Sequence, residues 1–515
     1  MLKRLLPADK TARAVLLAGL AVGLAVNLVW AALPVDTLIN WIPDDSFYYF
    51  QPASLMARGF IPSFDGVHPG NGFNPLWMFL LVPIFALKSV SLDLPVNLSL
   101  VLAALMMTAS AYILFRLLRL LKVDELYAAC AGGTFLLWPS EITTAVDGEV
   151  TPIAILTVSL LLYAYVRLIS KERAGLGEIV VLGFLGGLAI LARNDNVIFL
   201  GLLVCHYLTR RRGENKWLAT AVATGMTLAL TAAWLIWNYR YSGHVFPTSG
   251  WAVPLVYHER MVSQPTWRDT LRAVGHMLQI KRYQFFFFSP VKYGILAIYA
   301  YALWHAFRGK ASHRAAVVIA LPLLFIIILY LLNAGVRFYI RAWHLGAAFF
   351  LNQLCLWYAL GVFFHESRRR RTWAFLAVGL YVAFCIVDGV YTFKRPYYPW
   401  QREMKAGGEW ARAHPDVRVG GFNCGLLAYY GAENVLVLDG NMDVGAYEAL
   451  RAHRLYDYCR RERVKYIIDY EQTVDTFYRR FWPETELSHM HLVSDELDDP
   501  AVSFHNHGYF IYEIR

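Results

Sequence analysis

Hydrophobic positions in this sequence fall in long runs separated by short polar segments. A helix needs about 20 apolar residues to cross a bilayer. Seven runs have about that length, near residues 14–33, 94–116, 151–168, 217–238, 315–334, 341–364 and 372–393. Four shorter runs lie near residues 125–139, 176–192, 197–208 and 293–307. Together these runs predict about eleven transmembrane helices.

The basic residues between the runs predict the orientation of the chain. Loops rich in Lys and Arg face the cytoplasm, and six such segments occur, at the N-terminus and near residues 116–122, 167–173, 210–216, 308–314 and 368–371. They fall on one side only if residues 74–88, a short apolar segment with two prolines, form an interfacial helix in the outer leaflet. The pattern therefore predicts an integral plasma (inner) membrane protein with a cytoplasmic N-terminus and an extracytoplasmic C-terminal domain.

The composition changes near Lys394. Residues 1–393 contain 33 Lys and Arg against 19 Asp and Glu, whereas residues 394–515 contain 15 against 19. The second segment alternates predicted strands (RVGGF, NVLVLDG and KYIIDY) with predicted helices over 401–413 and 446–463, and HLVSDE and FIYEIR predict edge strands. Such alternation is typical of a small α/β domain. We therefore predict a polytopic α-helical membrane module over 1–393 and a soluble extracytoplasmic α/β domain over 394–515.

The net charge of +10 does not indicate a nucleic-acid partner. The Lys and Arg residues lie at the ends of the apolar runs, where they mark membrane topology. The expected surroundings of the chain are therefore a lipid bilayer.

Acidic residues cluster in the loops that are predicted to lie outside. Asp44 and Asp45 follow Pro43 shortly after the first span. Adjacent side chains on a helix point about 100° apart, so one carboxylate can face a cleft while the other meets a metal, a helix N-terminus or water. Either acid could instead cap the helix that begins after Pro43. Charges close to hydrocarbon are costly and usually functional, so a catalytic role is the stronger interpretation.

Three further groups of polar residues are candidates for the same site. Asp147 and Glu149 flank a glycine in the second outer loop, where the alternative is an acidic helix start. His68 lies in a Gly- and Pro-rich turn, either as a loop hydrogen-bonding residue or as a catalyst or metal ligand. Arginines at the outer interface can bind phosphate through a bidentate fork or extend to lipid headgroups, and Arg193 could instead form an ion pair with Asp195. The candidate arginines are Arg337, Arg341, Arg193 and Arg240.

The order of these motifs resembles that of the GT-C superfamily of membrane glycosyltransferases, which includes protein O-mannosyltransferases, lipid A aminoarabinose transferases and mycobacterial arabinofuranosyltransferases. The resemblance rests on the Asp44–Asp45 pair, on NGFNPLW and DGEVTP, and on GLAILARND, SGHVFPTS, RFYIRAW, VLVLDGNMD and KYIID. Several relatives have Asp-Glu where this chain has Asp-Asp. A WWDYG-type motif, typical of oligosaccharyltransferases, does not occur, which argues against transfer of a whole oligosaccharide.

The resemblance implies that a single sugar moves from a polyprenyl-phosphate donor to a hydroxyl of a glycan, lipid or protein acceptor at the outer membrane face, with inversion. The acceptor hydroxyl needs a carboxylate base, for which Asp44 is the first candidate and Asp45 the second. The donor phosphate needs cations, and Arg337 and Arg341 are expected to supply them, with Arg193 or Arg240 in reserve.

The remaining acids are expected to support this reaction. Glu149, Asp147 and His68 are candidates to orient the acceptor. Asp44, Asp45 and Glu149 could together hold a divalent cation, and oxygen ligands suit Mg, Mn or Ca.

Two other functions are compatible with the sequence. A transporter or lipid flippase can also carry intramembrane acids, although it should show internal repeats with charges near the middle of the membrane, and we find neither. A non-enzymatic cell-envelope assembly factor would use the loop acids only for structure, so it would tolerate their replacement.

Overall fold

The structure is a computed structural model that describes residues 6–137, 147–171, 174–210, 215–260, 313–335, 346–365, 367–394, 396–431, 433–482, 490–498 and 508–515, and a few positions between 297 and 308. Its N-terminal part is helical. The helices in chain order are α1 (Lys10–Ala31), α2 (Val35–Leu38), α3 (Asp44–Ala57), α4 (Pro75–Phe85), α5 (Leu94–Leu120), α6 (Glu125–Thr134), α7 (Thr151–Ile169), α8 (Leu176–Ala192), α9 (Asn196–Arg210), α10 (Asn215–Ser242), α11 (Ser249–Arg260), α12 (His313–Gly335), α13 (Gly346–Phe363) and α14 (Arg370–Lys394).

The helices agree with the predicted spans. Five of them, α1, α5, α7, α10 and α14, contain a window long and apolar enough to cross a membrane. Shorter apolar helices match five more predicted spans, over Glu125–Leu137, Leu176–Ala192, Asn196–Thr209, Val318–Leu329 and Gln353–Phe363. The remaining one, 293–307, lies mostly outside the described residues. The prediction of a polytopic α-helical fold is confirmed.

Glycines allow neighbouring apolar helices to pack at short range. A Cβ atom on Gly19 of α1 would lie 2.4 Å from the Cα and carbonyl oxygen of Gly133 in α6. A Cβ atom on Gly183 of α8 would lie 2.3 Å from the carbonyl oxygen of Ala223 in α10. Small residues at such contacts let helix backbones approach closely, which is a common way for membrane helices to associate.

The C-terminal segment forms a mixed sheet with helices. Its elements are α15 (Gln401–Ala413), β1 (Arg418–Gly421), α16 (Gly425–Tyr430), β2 (Val435–Val437), α17 (Val444–Arg451), α18 (Leu455–Arg461), β3 (Val464–Tyr470), β4 (Met490–Ser494) and β5 (Tyr509–Ile514). The strand order is β2-β1-β3-β5-β4. Strand β1 pairs in parallel with β2 and β3, while β5 pairs antiparallel with β3 and β4. The predicted small α/β domain is confirmed.

Two details of this domain differ from the prediction. FIYEIR is not an edge strand, because β5 pairs with β3 on one side and β4 on the other. The single helix predicted over 446–463 is two helices, α17 and α18, separated at His453, whose φ of 52° is incompatible with a continuous α-helix.

The two parts of the chain share one apolar core. Phe47 and Phe50 of α3 belong to the same buried cluster as Tyr429 of α16 and Ile468 of β3. The ring centroids of Phe47 and Tyr429 are 5.2 Å apart in an edge-to-face arrangement, which aromatic pairs prefer. The C-terminal domain therefore packs directly on the helix that begins with the acidic pair.

Candidate active site

The acidic pair opens helix α3. Pro43 precedes the helix in an extended conformation, and Asp44 and Asp45 occupy its first turn, where negative charge is favourable to the helix dipole. Residues four apart lie on the same helix face. Asp44 therefore shares a face with Tyr48, and Asp45 shares the neighbouring face with Tyr49.

Asp44 contacts the N-terminus of a helix in the other domain. One carboxylate oxygen accepts a hydrogen bond from the amide of Gly425 (3.1 Å), and the other accepts from the amide of Leu426 (2.6 Å). These amides open α16. Burial raises the pKa of Asp44 to about 8, although the Leu426 amide opposes this shift. The amides of α16 engage both oxygens of Asp44, so this residue links α3 to the C-terminal domain. Asp45 lies on the neighbouring face of α3, with Tyr49.

Asp45 lies close to Glu149, which follows a tight turn in the second outer loop. The Ser46 hydroxyl donates to the carbonyl oxygen of Asp147, and the Trp77 indole donates to that of Gly148 (2.9 Å). These bonds hold the turn against α3. Burial raises the pKa of Glu149 well above its usual range, and the charges of Asp45 and Asp147 act in the same direction.

Within this turn Asp147 has a local structural contact. Its carboxylate accepts the amide hydrogen of Glu149 (2.9 Å), and the residue is 1% exposed. It therefore shapes the backbone that carries Glu149.

Arg193 supplies positive charge beside Glu149. Burial raises the pKa of both Glu149 and Tyr49, and the guanidinium charge of Arg193 opposes part of each rise, so the three side chains lie near one another. The same guanidinium forms an ion pair with Asp195, with 2.7 Å between nitrogen and oxygen, as one interpretation of the sequence predicted. The Tyr49 hydroxyl also accepts a hydrogen bond from the Asn74 side chain (2.9 Å).

The other three arginines do not join this group in the part of the chain that the structure describes. Arg240 is exposed in the last turn of α10. Arg337 and Arg341 lie outside the described residues. Their predicted phosphate-binding role therefore stays a prediction.

A third acid near Asp45 was missed by the sequence reasoning. Asp439 follows β2 and is 3% exposed. Burial raises its pKa to about 7, and the charge of Asp45 adds to this shift. The Tyr48 hydroxyl donates to its carboxylate (2.7 Å). Its position after the carboxyl end of a parallel strand, where α/β sheets place their ligand-binding residues, was the signal that could have identified it.

His68 lies in a different group of charges between the two domains. Its Nδ1 atom is 2.6 Å from the Asp65 carboxylate, and its Nε2 atom is 3.0 Å from the Glu462 carboxylate. Arg418 also pairs with Asp65. Both ring nitrogens of His68 therefore have carboxylate partners, and its predicted acceptor-orienting role stays a prediction.

The protonation of His68 is expected to strengthen this contact below neutral pH. The hydrogen bond to Asp65 raises the pKa of His68, and the charges of Asp65, Asp443 and Glu462 assist. A raised pKa stabilises the fold below the unfolded value of about 6.5, and this stabilisation disappears as pH rises through the folded value. His68→Gln should therefore cost about 1–2 kcal/mol at pH 6 and much less at pH 9, measured by thermal unfolding in detergent. An equal loss at both pH values would contradict this account.

The three-carboxylate metal site predicted from Asp44, Asp45 and Glu149 stays a prediction. No group of three His, Cys, Asp or Glu within the described ranges has the arrangement of metal ligands. The carboxylate of Asp44 accepts hydrogen bonds from the α16 amides. Asp45 and Glu149 lie close to each other.

Comparison with known proteins identifies the fold of this chain. The sequence matches no protein-family model and no curated protein. Its structure is similar to that of the archaeal oligosaccharyltransferase AglB from Archaeoglobus fulgidus in complex with an inhibitory peptide and a dolichol-phosphate, with a TM-score of 0.57, 12% identity and 94% of this chain covering 74% of that one. An AglB complex with Zn and sulfate gives a TM-score of 0.52 at 13% identity, with coverage of 94% and 72%.

ArnT from Cupriavidus metallidurans, bound to undecaprenyl phosphate, is similar over nearly its whole length. The TM-score is 0.55 at 13% identity, and 92% of this chain covers 96% of that one. These proteins are membrane glycosyltransferases of the GT-C superfamily. The chain has the GT-C fold.

The GT-C fold confirms the resemblance predicted from the motif order. At 12–13% identity the similarity establishes the architecture and not the roles of individual residues. The roles of individual residues must therefore be inferred from the contacts within this chain, namely those of Asp45, Glu149, Arg193 and Asp439.

Proposed function

We propose that this chain transfers a single sugar from a polyprenyl-phosphate donor to a hydroxyl of a glycan, lipid or protein acceptor at the outer membrane face, with inversion and with Asp45 as general base. The observation that carries the proposal is the adjacency of Asp45 and the buried Glu149 beside Arg193, in a chain with the GT-C fold. The similar AglB structure holds a dolichol-phosphate and the ArnT structure holds undecaprenyl phosphate, which supports a polyprenyl-phosphate donor.

The unequal environments of Asp45 and Glu149 support a division of roles. A protonated carboxyl group beside an ionised one provides one proton donor and one proton acceptor. Burial, with the charges of Asp45 and Asp147, raises the pKa of Glu149, so we assign a proton to Glu149, which can then donate a hydrogen bond to the acceptor. Asp45 then takes the proton of the attacking hydroxyl.

The proposed reaction is a direct displacement. The acceptor oxygen forms a new bond to the anomeric carbon of the sugar while its proton passes to Asp45. The bond between that carbon and the phosphate oxygen breaks, and the phosphate leaves on its lipid with the electron pair. The departing phosphate gains negative charge, which a cation stabilises. Arg193, whose charge acts on Glu149, is the first candidate, and Arg337, Arg341 and Arg240 remain further candidates.

A divalent cation would be held by Asp45 and Glu149 together with the donor phosphate, because Mg commonly binds through one or two carboxylates and substrate phosphates. It would supply further neutralisation of the leaving phosphate. Because Glu149 is proposed to carry a proton rather than to bind a metal ion, no step of the proposed reaction depends on a metal ion.

Replacement of Glu149 tests the proposal. The purified protein in lipid nanodiscs is given sugar-charged polyprenyl phosphates extracted from native membranes, with and without an acceptor fraction, and release of free polyprenyl phosphate is measured. The wild type should release it in an acceptor-dependent manner. Glu149→Gln, which imitates a protonated carboxyl group, should retain activity within about 5-fold, whereas Glu149→Ala should lose roughly 10- to 100-fold.

The same assay separates the alternatives. If Glu149→Gln is inactive and the wild type stops on addition of EDTA, Glu149 acts as an ionised metal ligand and the assigned proton is wrong. A flippase would move the lipid across the bilayer without breaking the sugar–phosphate bond. That result would contradict the glycosyltransferase proposal.

A further inference from the structure

The carboxyl ends of the parallel strands in the C-terminal domain form a crevice that faces α3. In doubly wound α/β sheets, ligands bind at the point where the strand order reverses. Here the reversal lies at β1, between β2 on one side and β3 on the other. After β1 come Phe422, Asn423 and Cys424, and then helix α16 begins.

One side of this crevice is closed by the domain itself. The Asp469 carboxylate, at the end of β3, accepts hydrogen bonds from the amides of Phe422 (2.7 Å) and Asn423 (2.8 Å) and from the Asn423 side chain (3.0 Å). It is fully buried. These bonds fix the loop that leads into α16.

The rest of the crevice is filled by the first turns of α3. Asp44 accepts from the amides of Gly425 and Leu426. Four residues later on the same face, the Tyr48 hydroxyl donates to Asp439 after β2 and accepts from the Cys424 amide after β1 (3.1 Å). A Cβ atom on Gly425 would lie 2.1 Å from the carbonyl oxygen of Asp44, so the two backbones meet without room for a side chain.

We propose that the C-terminal domain binds α3 in this crevice as an internal ligand, and that Asp44 is a positioning residue which holds Asp45 at the reacting centre. The inference rests on the proposed function of Asp45. Because Asp44 and Asp45 are consecutive in one helical turn, fixing the carboxylate of Asp44 on α16 also fixes the direction of Asp45 toward Glu149. Asp439 acts in the same way through Tyr48. The C-terminal domain is thus part of the catalytic apparatus rather than a separate domain that only shields the active site.

The inference is tested by weakening the crevice contact stepwise. Asp44→Asn keeps an oxygen that can accept one amide hydrogen, Asp44→Ala keeps none, and Tyr48→Phe loses only the hydroxyl. The matched control is Glu433→Gln, which breaks an exposed ion pair between the domains with Arg58 at the far end of α3. For each variant kcat and donor KM are measured in nanodiscs, with thermal unfolding to verify the fold.

A displaced catalytic group lowers turnover by up to about 100-fold without changing donor binding. We therefore expect kcat to fall by roughly 10- to 100-fold in Asp44→Ala and less in Asp44→Asn and Tyr48→Phe, with donor KM within about 3-fold. Glu433→Gln should keep wild-type kcat. If Asp44→Ala unfolds at a lower temperature but keeps its kcat, Asp44 is only structural and the inference is wrong.

Two further outcomes separate this inference from the proposed function. If Asp44→Asn is as inactive as Asp45→Asn, Asp44 takes part in the chemistry itself, which overturns the positioning role and leaves the glycosyltransferase proposal intact. If Asp45→Asn keeps full activity, the assignment of Asp45 as base fails and the positioning role falls with it, whereas transport of the lipid without cleavage of the sugar–phosphate bond would overturn the proposed function itself.

Discussion

Replacing Asp45 with asparagine is expected to lower kcat for sugar transfer by about 10²- to 10⁴-fold, which is the usual contribution of a general base. The amide cannot accept the proton of the acceptor hydroxyl, yet it has nearly the same volume as the carboxyl group. The charge of Asp45 is one of those that raise the pKa of Glu149, which means that the two carboxylates repel each other. Asp45→Asn removes this repulsion, so the stability of the fold should be preserved or improved.

The measurement is acceptor-dependent release of polyprenyl phosphate in nanodiscs, with a thermal unfolding curve for each variant. Asp195→Asn is a suitable control, since it removes a carboxylate paired with Arg193 without touching the base. It should change donor KM more than kcat. Full turnover in Asp45→Asn would contradict the assignment of the base.

Replacing Gly148 with alanine is expected to lower both the stability of the fold and the rate of sugar transfer. Gly148 has a φ of +74°, and a Cβ atom there would lie 2.5 Å from Cζ of Phe50 and 3.1 Å from Cβ of Ser46. Strain in this region and overpacking each cost about 1–3 kcal/mol. We expect a loss of about 2–4 kcal/mol in unfolding free energy, and a fall in kcat because the turn that carries Glu149 must move away from α3.

Gly59 provides the matched control. It has a similar φ of +87°, but no atom lies within 4 Å of its would-be Cβ. Gly59→Ala therefore introduces the backbone strain without the clash, and it should cost about 1 kcal/mol with wild-type kcat. Equal losses of stability and turnover in the two variants would show that close packing of the 147–149 turn on α3 is unimportant.

The sequence was most informative where structure depends on local pattern. Bilayer thickness fixes the length of an apolar span, so the helices α1, α5 and α7 could be read directly from the hydropathy. The strands that become β1, β2 and β3 were also visible, because buried parallel strands are short continuous apolar runs.

The sequence could not show which acid faces which group. Asp44 and Asp45 are chemically identical and adjacent, and their contacts differ because α16, nearly 400 residues later, presents its amides to Asp44. For the same reason Asp439 was missed and His68 was expected at the site. Contacts between the membrane module and the C-terminal domain depend on tertiary packing, which no local pattern encodes.

The position of the donor phosphate tests the central claim most directly. A polyprenyl phosphate carrying a diazirine on the isoprene unit next to the phosphate can be cross-linked to the protein in nanodiscs and the labelled peptides identified by mass spectrometry. The account predicts labels on the peptides that contain Asp45, Glu149 and Arg193, which excess unmodified polyprenyl phosphate should suppress. Specific labelling confined to the apolar cavity between α7 and α10, around Tyr165 and Tyr207, would contradict it.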